Sequence, residues 1–169
     1  LGHSMGSLVA FETCHVLATR GLPMPSLLIV CGHRAPRVPA ASSPLHDVPD
    51  TEFLAHLREL GATPPDVFDA PDLLELILPI LRADFRACET YQPSHRPALS
   101  VPIAAYGGLK DSDTSRDALL AWGTETTSRS VVRMFPGGHF FISDCERDVV
   151  THVKRDLHEA LAAQQDRLP

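Results

Sequence analysis

The 169-residue chain carries a serine, two aspartates and a histidine at positions that suit activation of a serine hydroxyl as a nucleophile. The serine is Ser4, within Gly2-His3-Ser4-Met5-Gly6. Gly-x-Ser-x-Gly marks a nucleophile elbow, a tight strand-to-helix turn that lifts the hydroxyl off the sheet edge. Crowding at such a turn accounts for small residues at Gly2 and Gly6. The proline-free stretch from Ser4 to Arg20 predicts the helix, with Leu8, Val9, Phe11, Val16 and Leu17 as its buried stripe. Ser4 then sits at a helix N-terminus, where free N–H groups favour a developing negative charge. The plainer alternative is a helix-capping serine beside incidental glycines.

A serine hydroxyl becomes a useful nucleophile only beside a base, and the base needs a partner that orients it. Behind an elbow, the acid and the histidine follow in that order, on loops after later strands. Asp111 and Asp113 follow a predicted strand at 101–107. His139 follows a predicted strand at 128–135, within Phe135-Pro136-Gly137-Gly138-His139-Phe140-Phe141. Two glycines give this loop freedom to bring the imidazole over the sheet edge. Spacing alone does not separate Asp111 from Asp113, and either also suits a turn or helix cap. Among nine histidines, His139 stands out by location. His3 is expected to point away from the serine and to pack. His15, His56, His152 and His158 are expected on helix surfaces, and His33, His46 and His95 in loops without a role. With no His-x-x-x-His or Cys/His cluster, neither a metal nor an organic cofactor is expected.

The bulk properties bound the setting. Apolar residues make up 44% of the chain and charged residues 21%, as in a soluble globular domain. A net charge of −6 without a Lys/Arg cluster excludes a nucleic-acid surface. No apolar run approaches the roughly 20 residues of a membrane span. Cys14, Cys31, Cys88 and Cys145 are far apart, which points to free thiols in a reducing, cytoplasmic compartment. A monomer is expected. An elbow needs a strand in front of it, so a chain opening at Leu1 reads as the C-terminal part of a larger protein whose N-terminal strands are missing.

The intervening segments alternate strand and helix, which predicts an α/β fold with a mostly parallel sheet. Ser26–Gly32 is a continuous apolar strand, and Pro36, Pro39, Pro44 and Pro49 make 33–50 a loop. A helix runs from Asp50 or Thr51 to Leu60 and stops at Gly61. Another is predicted over about 71–91, kinked or split at Pro79. Its stripe is Leu73, Leu74, Ile77, Leu78, Leu81 and Phe85, while Leu76 and Ile80 lie on a second face. Such a helix is either well packed in the core or a lid whose second face lines an acyl pocket. Residues 50–91 are thus a helical insertion. A helix at 115–122 and a last one from about Glu146 complete the pattern.

Five segments in order resemble the type II thioesterases that accompany polyketide synthases and nonribosomal peptide synthetases. They are Gly2–Gly6, Cys31-Gly32-His33-Arg34-Ala35-Pro36, Pro44-Leu45-His46-Asp47-Val48-Pro49, Leu81-Arg82-Ala83-Asp84-Phe85 and Phe135–Phe141. The resemblance runs over the whole chain and covers about the C-terminal two thirds of the family's domain. It implies an α/β-hydrolase fold with a lid at about 50–91, and a single, partial domain over 1–169. By this resemblance Ser4 is the nucleophile, His139 the base and Asp111 the acid. Asp111 lies three residues after Gly108, as the family's acid commonly does, and Trp122 falls where the next helix often has tryptophan. Ser112 departs from the family's usual proline, which keeps Asp113 open as the acid. The Met5 N–H is the implied oxyanion donor, and a second donor belongs to a loop outside this chain. The implied reaction is hydrolysis of acyl thioesters from the phosphopantetheine arm of acyl or peptidyl carrier proteins, clearing stalled or mis-primed groups. A small-ester hydrolase with the same triad and an inactive carrier-docking piece are the alternatives.

Overall fold

Two short apolar runs, Leu28–Cys31 and Ile103–Gly108, are buried along their whole length and form the middle of the sheet. In the computed structural model, which describes residues 1–40, 43–61 and 63–166, these runs are β2 and β3. They are flanked by β1 (Gly2–His3) and β4 (Ser130–Phe135). Every pairing is parallel, in the order β1-β2-β3-β4. Cys31 stands opposite Tyr106, and Tyr106 opposite Arg133.

Because side chains alternate along a strand, Leu28, Val30, Ile103 and Ala105 face one layer, and Ile29, Cys31, Ala104 and Tyr106 the other. The first layer packs on Phe11 of α1 (Met5–Thr19), Leu119 of α5 (Arg116–Leu120) and Trp122 of the 3-10 turn Ala121–Glu125. The second packs on Phe141 of α6 (Phe141–Asp144) and Val149 of α7 (Glu146–Gln165). Helices on both faces are what continuously apolar parallel strands require. In α1 the buried positions are Ser7, Leu8, Phe11, Cys14 and His15, a 3.6-residue stripe. Val9 and Val16, expected in that stripe, are exposed.

Between β2 and β3 the chain leaves the sheet for α2 (Asp50–Leu60), α3 (Pro65–Phe68) and α4 (Pro71–Glu89). Gly61 ends α2 in the left-handed conformation at φ 77°. Helix α4 runs through Pro79 as one 19-residue helix, so the expected split does not occur. None of its residues is fully buried, and Leu76 and Ile80 are 67% and 57% exposed. The second apolar face therefore meets solvent. Among the described residues, neither Leu76 nor Ile80 packs in the core or lines the chamber beside Ser4. The inward face carries Phe85, whose ring is edge-on to Phe53 of α2 at 5.0 Å.

Arg82 ties this insertion to the loop before it. Its guanidinium donates to the carbonyls of His46 (2.8 Å) and Val48 (2.7 Å) and to Asp50 Oδ1 (2.6 Å), and lies 4.5 Å over the Phe53 ring. Glu89 at the end of α4 accepts from Leu45 N (2.8 Å) and from the His46 ring (2.5 Å). The Pro44–Pro49 segment, without regular structure, is thus clamped from both ends of the last two turns of α4. Among the described residues, no helix is long and apolar enough to cross a membrane.

Candidate active site

The elbow is built by backbone strain and close approach. Ser4 has φ 52° and ψ −124°, and among the described residues no other non-glycine residue has positive φ. Such strain persists only where the surroundings hold it. The Ser4 N–H donates to the Cys31 carbonyl at 2.8 Å, which fastens the turn to β2. Ser7, fully buried, accepts from Cys31 N (3.1 Å), and its hydroxyl lies 3.0 Å from the Gly2 carbonyl and 3.1 Å from that of Cys31. A Cβ on Gly2 would lie 1.9 Å from Gly6 O, so only glycine fits there. Gly6 differs from expectation, because a Cβ at that position meets nothing within 4 Å. Ser4 occupies the N-cap of α1, yet its side chain makes no capping hydrogen bond. Its hydroxyl is not spent on the helix. Met5 begins that helix, where backbone N–H groups lack intrahelical acceptors.

The loops after β3 and β4 bring acid and histidine together. His139 Nδ1 lies 3.0 Å from Asp111 Oδ2, with the carboxylate side chain 1% and the imidazole 10% exposed. Asp111 Oδ1 accepts from the Asp113 N–H at 3.0 Å. Of the two aspartates, then, Asp111 meets the ring, and Asp113 turns its backbone towards Asp111. Leu109 N donates to Phe135 O (2.8 Å) and Lys110 N to Gly137 O (2.9 Å). A Cβ on Gly108 would sit 2.1 Å from Gly138 O. Glycine is needed here so that two loops can touch, as well as for the positive φ of 107° at Gly137.

Ser4, Met5 and His139 line one chamber of about 420 Å³, roofed by the insertion through Leu57, Leu60, Leu81 and Phe85. No hydrogen bond joins Ser4 to the His139 ring, a looseness common before substrate binds. His3 packs, as expected, and its neighbours are the His139 imidazole and Phe140. The two imidazoles are 4.9 Å apart, and His3 Nε2–H donates to the His139 carbonyl at 2.9 Å. Burial holds the His3 pKa below its ordinary value, so it is neutral near pH 7. His33 also borders the chamber. Its Nδ1–H donates to Arg34 O at 2.7 Å, and burial lowers its pKa to about 4. Cys88 shares the chamber as a protonated thiol, pushed up to about 11 chiefly by burial.

Two more histidines depart from the expected helix surface. His15 is buried edge-on against Phe11 at 4.6 Å, and His56 faces the chamber. Both share the helix face of an inward aromatic residue, Phe11 or Phe53, a signal that spacing carried. Ser7 and His3 gave no comparable signal, since their partners are main-chain groups, of Gly2 and Cys31 for Ser7 and of His139 for His3, which no side-chain pattern reports.

A parallel sheet with helices on both faces, a Gly-x-Ser-x-Gly turn on one strand and an Asp–His pair on the loops of later strands make up an α/β-hydrolase fold. The thioesterase domain family matches residues 1–161, and the chain belongs to that family. It is 35% identical over 162 residues to the gramicidin S biosynthesis protein GrsT of Aneurinibacillus migulanus, covering 96% of this chain and 63% of that protein. The RedJ thioesterase from the prodiginine biosynthetic pathway in Streptomyces coelicolor superposes with a TM-score of 0.82 at 35% identity, over 90% of this chain and 60% of its own. YbtT, a type II thioesterase from the yersiniabactin NRPS/PKS pathway, gives 0.84 at 34% identity, over 94% and 64%. The chain thus spans about six tenths of the length of these relatives.

Proposed function

We propose that this chain carries the serine chemistry of a type II thioesterase, releasing acyl groups from the phosphopantetheine arm of acyl or peptidyl carrier proteins. Ser4 Oγ attacks the thioester carbonyl carbon while His139 Nε2 takes its proton. Asp111 holds the imidazole with its proton on Nδ1 and stabilises the imidazolium. The tetrahedral oxyanion is met by the Met5 N–H. The carbon–sulfur bond then breaks, and the carrier thiol leaves with the proton from His139. Water, deprotonated by His139, attacks the acyl-Ser4 ester, and the proton returns to Ser4 as the free acid departs. No metal or organic cofactor enters this sequence. The insertion at about 50–91 acts as the lid of the acyl chamber, within a single partial domain over 1–169. The setting is the cytoplasm, where a monomer edits stalled or mis-primed polyketide and peptide assembly lines.

The observation that supports this most is the 3.0 Å contact between Asp111 Oδ2 and His139 Nδ1 beside the chamber that Ser4 lines. The test is acetyl release from an acetylated carrier protein by this chain and by Ser4→Ala. Release that vanishes in the variant is expected, and equal release from both would end the reading. Faster hydrolysis of small esters than of the carrier thioester would reassign the substrate.

A further inference from the structure

The lid side of the chamber carries Leu57, Leu60, Leu81 and Phe85 beside the polar Thr63, Asp84 and Glu89, and at one place on it His56 of α2 meets Asp113 from the loop after β3. His56 is 84% buried at the side chain, as its exposure is 16%, and its Nε2 is buried with no hydrogen-bond partner among the described residues. Leaving such a group unpaired leaves its desolvation without compensation. The nearest carboxylate oxygen, Asp113 Oδ2, is 3.5 Å away, beyond the usual range for an N–H···O bond. Phe85 holds the His56 ring edge-on at 5.7 Å. Asp113 is itself held by its backbone N–H on Asp111 Oδ1. A ring donor and a carboxylate acceptor therefore flank one spot in the chamber, next to the apolar Leu57 and Phe85.

We infer that His56 and Asp113 form a polar subsite that selects acyl groups bearing a hydroxyl. One hydroxyl oxygen about 2.8 Å from each partner accepts from His56 Nε2–H and donates its own proton to Asp113. An unsubstituted acyl chain leaves the buried His56 Nε2 unpaired, whereas Asp113, 38% exposed, is still met by water, and the site discriminates through His56 for that reason. This inference rests on the chamber being the acyl site of the proposed thioesterase.

The test is calorimetric binding to the Ser4→Ala chain, which removes turnover from the readout. The ligands are the pantetheine thioesters of hexanoate, 3-hydroxyhexanoate, 5-hydroxyhexanoate and 3-aminohexanoate. One hydroxylated isomer is expected to bind at least about tenfold more tightly than hexanoyl. That preference is lost on adding His56→Leu and kept on adding His56→Gln, which still offers a donor. Asp113→Ala on the same background lowers it as well, and as a change on an exposed loop it guards against a His56 variant that fails to fold. Equal binding of hexanoyl and both hydroxylated ligands, a preference that survives His56→Leu, tighter binding of the amino ligand, or no binding by any ligand overturns the inference. Failure of Ser4-dependent acetyl release by the parent chain would instead strike the thioesterase reading and leave these ratios readable.

Discussion

Gly108 and Gly138 touch so closely that a Cβ on the first would stand 2.1 Å from the carbonyl oxygen of the second. This contact joins the loop after β3 to the loop after β4, and it sets the distance between Asp111 and His139. Gly108→Ala forces backbone to move on both loops, since no flexible side chain is available to yield. The expected result is a loss of more than about 2 kcal/mol in stability by denaturant unfolding, together with loss of Ser4-dependent hydrolysis. Stability and activity both at wild-type levels would show that the loops have slack.

The acid can be assigned by comparing two isosteric variants. Asp111→Asn removes the charge that faces His139 Nδ1 and offers the ring the wrong tautomeric partner. A drop in kcat on the order of 10⁴ is expected, as when the orienting acid of a serine triad is neutralised. Asp113→Asn leaves the 3.0 Å contact between Asp111 and His139 in place and is expected to lose at least a hundredfold less. The reverse ranking would transfer the role to Asp113.

The elements of the sheet were legible because buried parallel strands leave short continuous apolar runs and amphipathic helices leave a 3.6-residue period. Leu28–Cys31, Ile103–Gly108 and α7 all lie where the sequence predicts them, within two or three residues. The order serine, aspartate, histidine likewise follows from loops at one edge of the sheet, although spacing alone leaves both Asp111 and Asp113 as the aspartate. What periodicity cannot report is what covers a face. Val9, Val16, Leu76 and Ile80 are apolar and helical, and solvent meets all four. Nor does it report contacts between residues far apart in the chain, such as His3 with His139 or His56 with Asp113.

Exposure at Leu76 and Ile80 makes a direct prediction. Leu76→Lys and Ile80→Glu place charges where water already is, so each should change stability by no more than about 0.5 kcal/mol. A loss of 2 kcal/mol or more in thermal or denaturant unfolding would mean that this face is covered in solution.

Arg82 offers the opposite case. Its fork spans the carbonyls of His46 and Val48 and the Asp50 carboxylate, a geometry that lysine cannot reproduce. Arg82→Lys is expected to cost about 1.5–3 kcal/mol, the range of hydrogen bonds to charged groups. It should also raise amide exchange at Glu52 and Phe53, whose N–H groups bond Pro49 O beside the clamp. Exchange unchanged at these two amides would deny Arg82 its anchoring role.

The buried histidines set the acid limb of stability. His33 is neutral in the folded chain down to about pH 4, whereas in the unfolded chain it takes up a proton near its ordinary value of 6.5. Between these values the unfolded state binds more protons, so stability falls as pH falls from 6.5 to 4 and is flat above 6.5. The shift corresponds to roughly 3 kcal/mol at 1.36 kcal/mol per pKa unit. His3 and His15, both lowered chiefly by burial, act with the same sign. The carboxylates of Glu12 and Asp156 are held below their ordinary values by hydrogen bonds to Arg96 and Arg133, so their contribution is lost only at lower pH. Denaturant midpoints measured from pH 8 to pH 4 should therefore decline below 6.5, and His33→Asn, which cannot titrate, should flatten that decline. An undiminished slope in the variant, or a His33 ring that titrates near 6.5 by NMR in the folded chain, would refute the assignment.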